Sequence, residues 1–104
     1  MSVINDLLDR LSTKKIAMYN KDFLLTWEKT SDEIEATFLV ARILQEMRKA
    51  NISPRIWHSG IAVSNFRDNS TRTRFSFSSA CDLLGLYVQD LDEGKSQIAH
   101  GETV

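Results

Sequence analysis

Apolar residues recur at helical spacing in three stretches of the chain and crowd together in two shorter ones. Val3, Ile4, Leu7, Leu8 and Leu11 make one stripe, which predicts a first helix with Ser2 as its cap. Lys14 and Lys15 follow as a solvated pair. Phe23-Leu-Leu25, with Trp27 close behind, is a short apolar segment given a packing role only. Thr30-Ser-Asp-Glu33 fits the capping box, in which Thr30 and Glu33 each satisfy the other's backbone N–H. Beyond it Ala36, Leu39, Val40, Ile43, Leu44, Met47 and Ala50 share one helix face, with Glu35, Arg42, Gln45, Glu46 and Lys49 on the other. Pro54 stops any continuation, and Gly60 marks a turn.

The second half reads as strand, helix, strand. Ile61-Ala62-Val63 is a short apolar run with branched ends, predicting a buried strand. Phe77, Ala80, Cys81 and Leu84 fall at helical spacing, so a helix is expected to begin within residues 70–73. Gly85 suits its C′ position, and residues 86–91 read as a second strand. Such a βαβ unit is almost always a right-handed crossover between parallel strands. Ligands of open α/β sheets sit at the carboxyl ends of the strands. Both the 70–73 turn and the loop after the second strand leave that edge.

The polar turn itself is the most informative stretch. A helix start leaves unpaired N–H groups that, with the helix dipole, favour an anion. Ser70, Thr71 and Thr73 add hydroxyl donors, and Arg72 and Arg74 add forks suited to phosphate. The plain alternative is an ordinary cap, for which Ser and Thr are preferred. Two arginines fit that alternative poorly, because first-turn cations oppose the dipole unless an anion offsets them.

Composition narrows the partners. The 104 residues suffice for one small domain, 42% hydrophobic and 26% charged, with a formal net charge of −1. That balance, with Asp68 inside the arginine cluster, argues against nucleic acid. No apolar run approaches the ~20 residues of a membrane span, and the N-terminus has no basic leader, so a cytoplasmic chain is expected. The one cysteine, Cys81, lies on the apolar helix face and reads as a packed thiol. His58 beside Trp57 has no second ligand at metal spacing, so neither metal nor cofactor is expected. Gly94-Lys95-Ser96 is no Walker A motif, since the glycine required five positions earlier is Gln89.

Ser70-Thr-Arg-Thr-Arg74, followed by Phe75-Ser-Phe and Ala80, resembles the carbamoyl phosphate motif of the aspartate and ornithine carbamoyltransferases. The similarity continues through Leu83-Leu-Gly85 into the run from Asp92 to Thr103, which resembles the loop that reaches a neighbouring subunit's active site in ornithine carbamoyltransferases. Phe66-Arg-Asp-Asn-Ser-Thr-Arg-Thr-Arg74 together with Asp90-Leu-Asp-Glu-Gly-Lys-Ser96 is similar to the YgeW-type knotted carbamoyltransferases. Many relatives carry proline where this chain has Asn69.

The resemblance implies an α/β fold: part of a three-layer carbamoyl phosphate-binding domain, residues 1–104, with a parallel βαβ unit preceded by N-terminal helices. It implies that Ser70, Thr71, Arg72 and Thr73 bind carbamoyl phosphate. Thr73 would also lie near the carbonyl oxygen, and Arg72 would carry most of the transition-state charge. Arg74 would orient the loop through an ion pair, and Gln97 would reach the carbamoyl phosphate of an adjacent subunit in a trimer. The co-substrate would be an amino acid or related amine, bound by a second domain beyond these residues. The chain is therefore expected to be the N-terminal part of a longer carbamoyltransferase or a truncated product, inactive alone. The competing readings are a non-catalytic anion-binding module and a fragment that pairs with intact subunits.

Overall fold

The computed structural model of the chain describes residues 2–66 and 70–92. In chain order the elements are α1 (Ser2–Ser12), a 3-10 turn (Thr26–Glu28), α2 (Ser31–Lys49), β1 (Ile61–Phe66), α3 (Thr71–Leu84) and β2 (Tyr87–Asp92). They fall into two compact units, Met1–Ile52 and Ser53–Val104.

In the first unit α1 lies on α2. Ile4 and Leu7 meet Leu39 and Ile43 in a buried cluster, with Leu11, Met47 and Ile52 packed against it. Each such side chain contributes about 1.5–3 kcal/mol by leaving water. The stripe is narrower than the spacing predicted, since Val3, Leu8 and Val40 stay exposed. Ser2 is the first helical residue rather than a cap. The capping box of α2 is formed: Glu33 N donates to Thr30 Oγ1 (3.1 Å) and Thr30 N to Glu33 Oε1 (3.0 Å). Glu33 also accepts from Ala17 N (3.1 Å) and Asp32 from Lys15 N (3.0 Å). The backbone amides of Thr30 and Ala17 hold the Glu33 carboxyl below its ordinary 4.5.

Two further expectations fail in this unit. Lys14 is ion-paired with Glu35 instead of simply solvated, because the segment before α2 is tied back onto its first turn. Phe23, Leu24 and Trp27 are exposed rather than packed. The end of α2 has its own device. Asn51 takes a left-handed φ of 56°. Its N–H meets Arg48 O (3.1 Å) and that of Ile52 meets Met47 O (2.9 Å), the two bonds of a Schellman motif. The helix thus ends at Lys49, ahead of Pro54.

In the second unit β1 and β2 are parallel, in a register that pairs Ile61 with Tyr87, Ser64 with Asp90 and Phe66 with Asp92. Helix α3 crosses between them and packs on one face of the sheet. Here β1 runs three residues past the apolar run, and it is not the buried strand expected: Ile61 and Val63 are 69% and 55% exposed. The period of two explains this, since it turns Ile61, Val63 and Asn65 to one face and Ala62, Ser64 and Phe66 to the other. Cys81 is a buried free thiol on the packed face of α3. Gly85 ends α3 at φ 98°, with its N–H on Asp82 O (3.1 Å) and the Leu86 N–H on Cys81 O (2.8 Å). A Cβ there would lie 2.0 Å from the Trp57 carbonyl oxygen, so only glycine fits. No helix among the described residues is long and apolar enough to cross a membrane.

Candidate phosphate-binding site

Parallel pairing brings the carboxyl ends of both strands to one edge, and α3 starts just beyond that of β1. Thr71 is the first residue of α3 and Ser70 stands at the cap position, so the start falls where the spacing placed it. The Ser70 side chain caps no helix amide. Its hydroxyl instead donates to Thr73 Oγ1 (2.8 Å). The first intrahelical bond runs from Arg74 N to Ser70 O (3.0 Å). Among the described residues the amides of Arg72 and Thr73 therefore have no acceptor. The plain-cap alternative, which needs a side-chain oxygen on these groups, is not realised by Ser70.

The two arginines of this turn are used differently. Arg72 and its neighbours Thr71 and Thr73 are exposed, and among the described residues the Arg72 guanidinium meets no carboxylate. Its carbonyl accepts from the Ser76 hydroxyl (2.6 Å), an ordinary intrahelical bond. Arg74 is drawn in over the sheet. It forms the ion pair expected of it, with Asp90 on β2. It also donates to Phe66 O at the end of β1 (3.4 Å) and stands 5.6 Å over the Phe66 ring. Phe66 in turn meets Phe77 of α3 edge to face, centroids 6.3 Å apart.

Asp90 was not legible as part of this cluster. It also accepts from the Ser64 hydroxyl (2.7 Å), its partner across the sheet. Nothing in linear spacing joins residues 64, 74 and 90; the parallel register does. Gln97 lies outside the described residues. A cleft of about 420 Å³ lined by Arg55, His58 and Asp82 opens near Ile61 and Tyr87, at the amino ends of the strands. That is the wrong edge for a ligand of an open parallel sheet.

Residues 21–104 match the family described as the aspartate/ornithine carbamoyltransferase carbamoyl-P binding domain. The chain belongs to this family. A protein of Escherichia coli K12 provisionally named carbamoyltransferase YgeW is 55% identical over all 104 residues, which make up 26% of its own length. The catabolic ornithine carbamoyltransferase of Treponema denticola is 34% identical over 84 residues, 81% of this chain and 25% of that one. The aspartate carbamoyltransferase catalytic subunit of a Nitratiruptor species is 36% identical over 85 residues, 81% and 27% of the two chains. The chain thus spans about a quarter of the length of the curated relatives it matches. A helix on a parallel strand pair, with helices earlier in the chain, agrees with part of the family's α/β domain.

Proposed function

We propose that the chain supplies the carbamoyl phosphate side of a carbamoyltransferase. Ser70, Thr71, Arg72 and Thr73 hold the phosphate, through backbone N–H groups at the start of α3 and through their own side chains. The observation that supports this reading best is the pair of unaccepted amides at Arg72 and Thr73, beside a guanidinium that meets no carboxylate among the described residues. An anion offsets the cost of cations in a helix's first turn.

The chemistry asks for such donors. An amine attacks the carbamoyl carbon, the C–O bond to phosphate breaks, and negative charge grows on the carbonyl oxygen and on the leaving phosphate. Donors fixed in place for that charge lower the barrier without reorganising. Thr73 is assigned to the carbonyl oxygen and Arg72 to the departing phosphate. The amine is taken to be an amino acid or related compound, as the names of the ornithine and aspartate relatives suggest. A trimer in which Gln97 reaches into a neighbouring subunit, residence in the cytoplasm and a place in amino-acid metabolism belong to the same reading, as does a single domain over residues 1–104. Taken by itself the chain binds carbamoyl phosphate without turning it over.

Isothermal titration of carbamoyl phosphate into the 104-residue chain tests this. Arg72→Ala removes one charge-assisted donor, so affinity should fall about tenfold to a hundredfold. Equal binding by wild type and variant, or none by wild type, contradicts the assignment.

A further inference from the structure

We propose that Asp90 is a positioning residue of the carbamoyl phosphate site: it holds Arg74 across the strand ends and so leaves Arg72 as the cation presented to the phosphate. The inference rests on the phosphate-site reading above. It starts from the Ser64, Asp90 and Arg74 cluster, which ties three elements together. Asp90 stands on β2, accepts from Ser64 on β1 (2.7 Å) and pairs with Arg74 in the first turn of α3. The same guanidinium donates to Phe66 O, the last residue of β1 (3.4 Å). The Asp90 carboxylate therefore ties the start of α3 to both strands.

Arg72 and Arg74 both lie in a turn whose dipole already repels cations. Asp90 offsets one of them. Without Asp90 the Arg74 guanidinium loses its link to β2, and its angle to the anion changes. The pair is well placed for fixing geometry, with side chains 22% and 42% exposed for Arg74 and Asp90, and poorly placed for stabilising a core. Ser64 is itself buried, so the Asp90 oxygen it donates to is held from a fixed point.

The test is titration of carbamoyl phosphate, and of inorganic phosphate as a stable probe, into the full chain and into Asp90→Asn, Asp90→Glu, Arg74→Lys and the Asp90→Asn/Arg74→Lys double variant. Thermal unfolding is recorded for each. Asp90→Asn and Arg74→Lys should each weaken both ligands about tenfold, and the double variant should be no weaker than the worse single one, because both changes break one linkage. Asp90→Glu keeps a carboxylate within reach and should return affinity to within about threefold of wild type. A purely structural role would lower thermal midpoints without this coupling in affinity. Equal or tighter binding by Asp90→Asn, or losses that multiply in the double variant, overturns the positioning role. Should Asp90→Asn fail to fold, an Asp90→Glu variant that folds yet binds tenfold worse overturns it as well. A wild type that binds neither ligand overturns the phosphate-site reading itself, and the role of Asp90 with it.

Discussion

Glu33 accepts two backbone amides with one carboxylate, and its pH dependence follows. Its oxygens accept from Thr30 N and Ala17 N, while its own N–H is held by Thr30 Oγ1. Those amides favour the charged form and lower its pKa from 4.5. A carboxyl whose folded pKa is depressed stabilises the fold above the unfolded value, and the contribution is lost as pH falls through the folded value. Thermal midpoints should therefore drop on acidification below about pH 4.5, and Glu33→Gln should flatten that dependence. Thr30→Ala, which removes only the hydroxyl acceptor, should cost about 1 kcal/mol in denaturant unfolding at neutral pH. The capping box was legible because its residues are three apart. The bond from Ala17, sixteen residues away, was not.

Among the elements, helix ends were the best and the worst read. Gly85 was placed correctly as the stop of α3, since no other residue takes a left-handed turn without cost. The sequence points to Pro54 as the stop of α2, whereas Asn51 performs it. Asn tolerates the left-handed conformation, so it turns the chain out of the helix before the proline is reached. Gly85→Ala would meet both an adverse φ and the Trp57 carbonyl. It should lower stability by about 1–3 kcal/mol in chemical unfolding, with the loss of helix signal from α3. The strand at Ile61 was recognised by composition, but its burial was not, because a branched apolar run looks the same whether one face or both are covered. The positions of Ser70, Thr71, Arg72 and Thr73 on the turn were legible from local spacing. The anchoring of Arg74 needed the register between strands 26 residues apart, as the Ser64 to Asp90 bond measures.

For the molecule as a whole, packing is uneven. The buried apolar cluster of four residues belongs to the unit of α1 and α2. The other unit rests on a two-stranded sheet, with Ile61, Val63, Tyr87 and Leu91 exposed on one side. Two strands alone are marginal in water. Hydrogen exchange should follow this division, with amides around Leu39 and Ile43 in α2 protected at least about tenfold more than those of β1 and β2. The match to the carbamoyl phosphate-binding domain runs across residues 21–104, so the phosphate-site motif and the helix before it belong to one inherited stretch.

Whether the first turn of α3 grips a phosphate is read by two-dimensional 15N–1H NMR of the 104-residue chain titrated with carbamoyl phosphate. A bound phosphate gives saturable shifts that are largest at the amides of Arg72 and Thr73, fall away along α3, and are much weakened in Arg72→Ala. Resonances at these two residues that stay still while the ligand is added, or that move no more than those of α2, would contradict it.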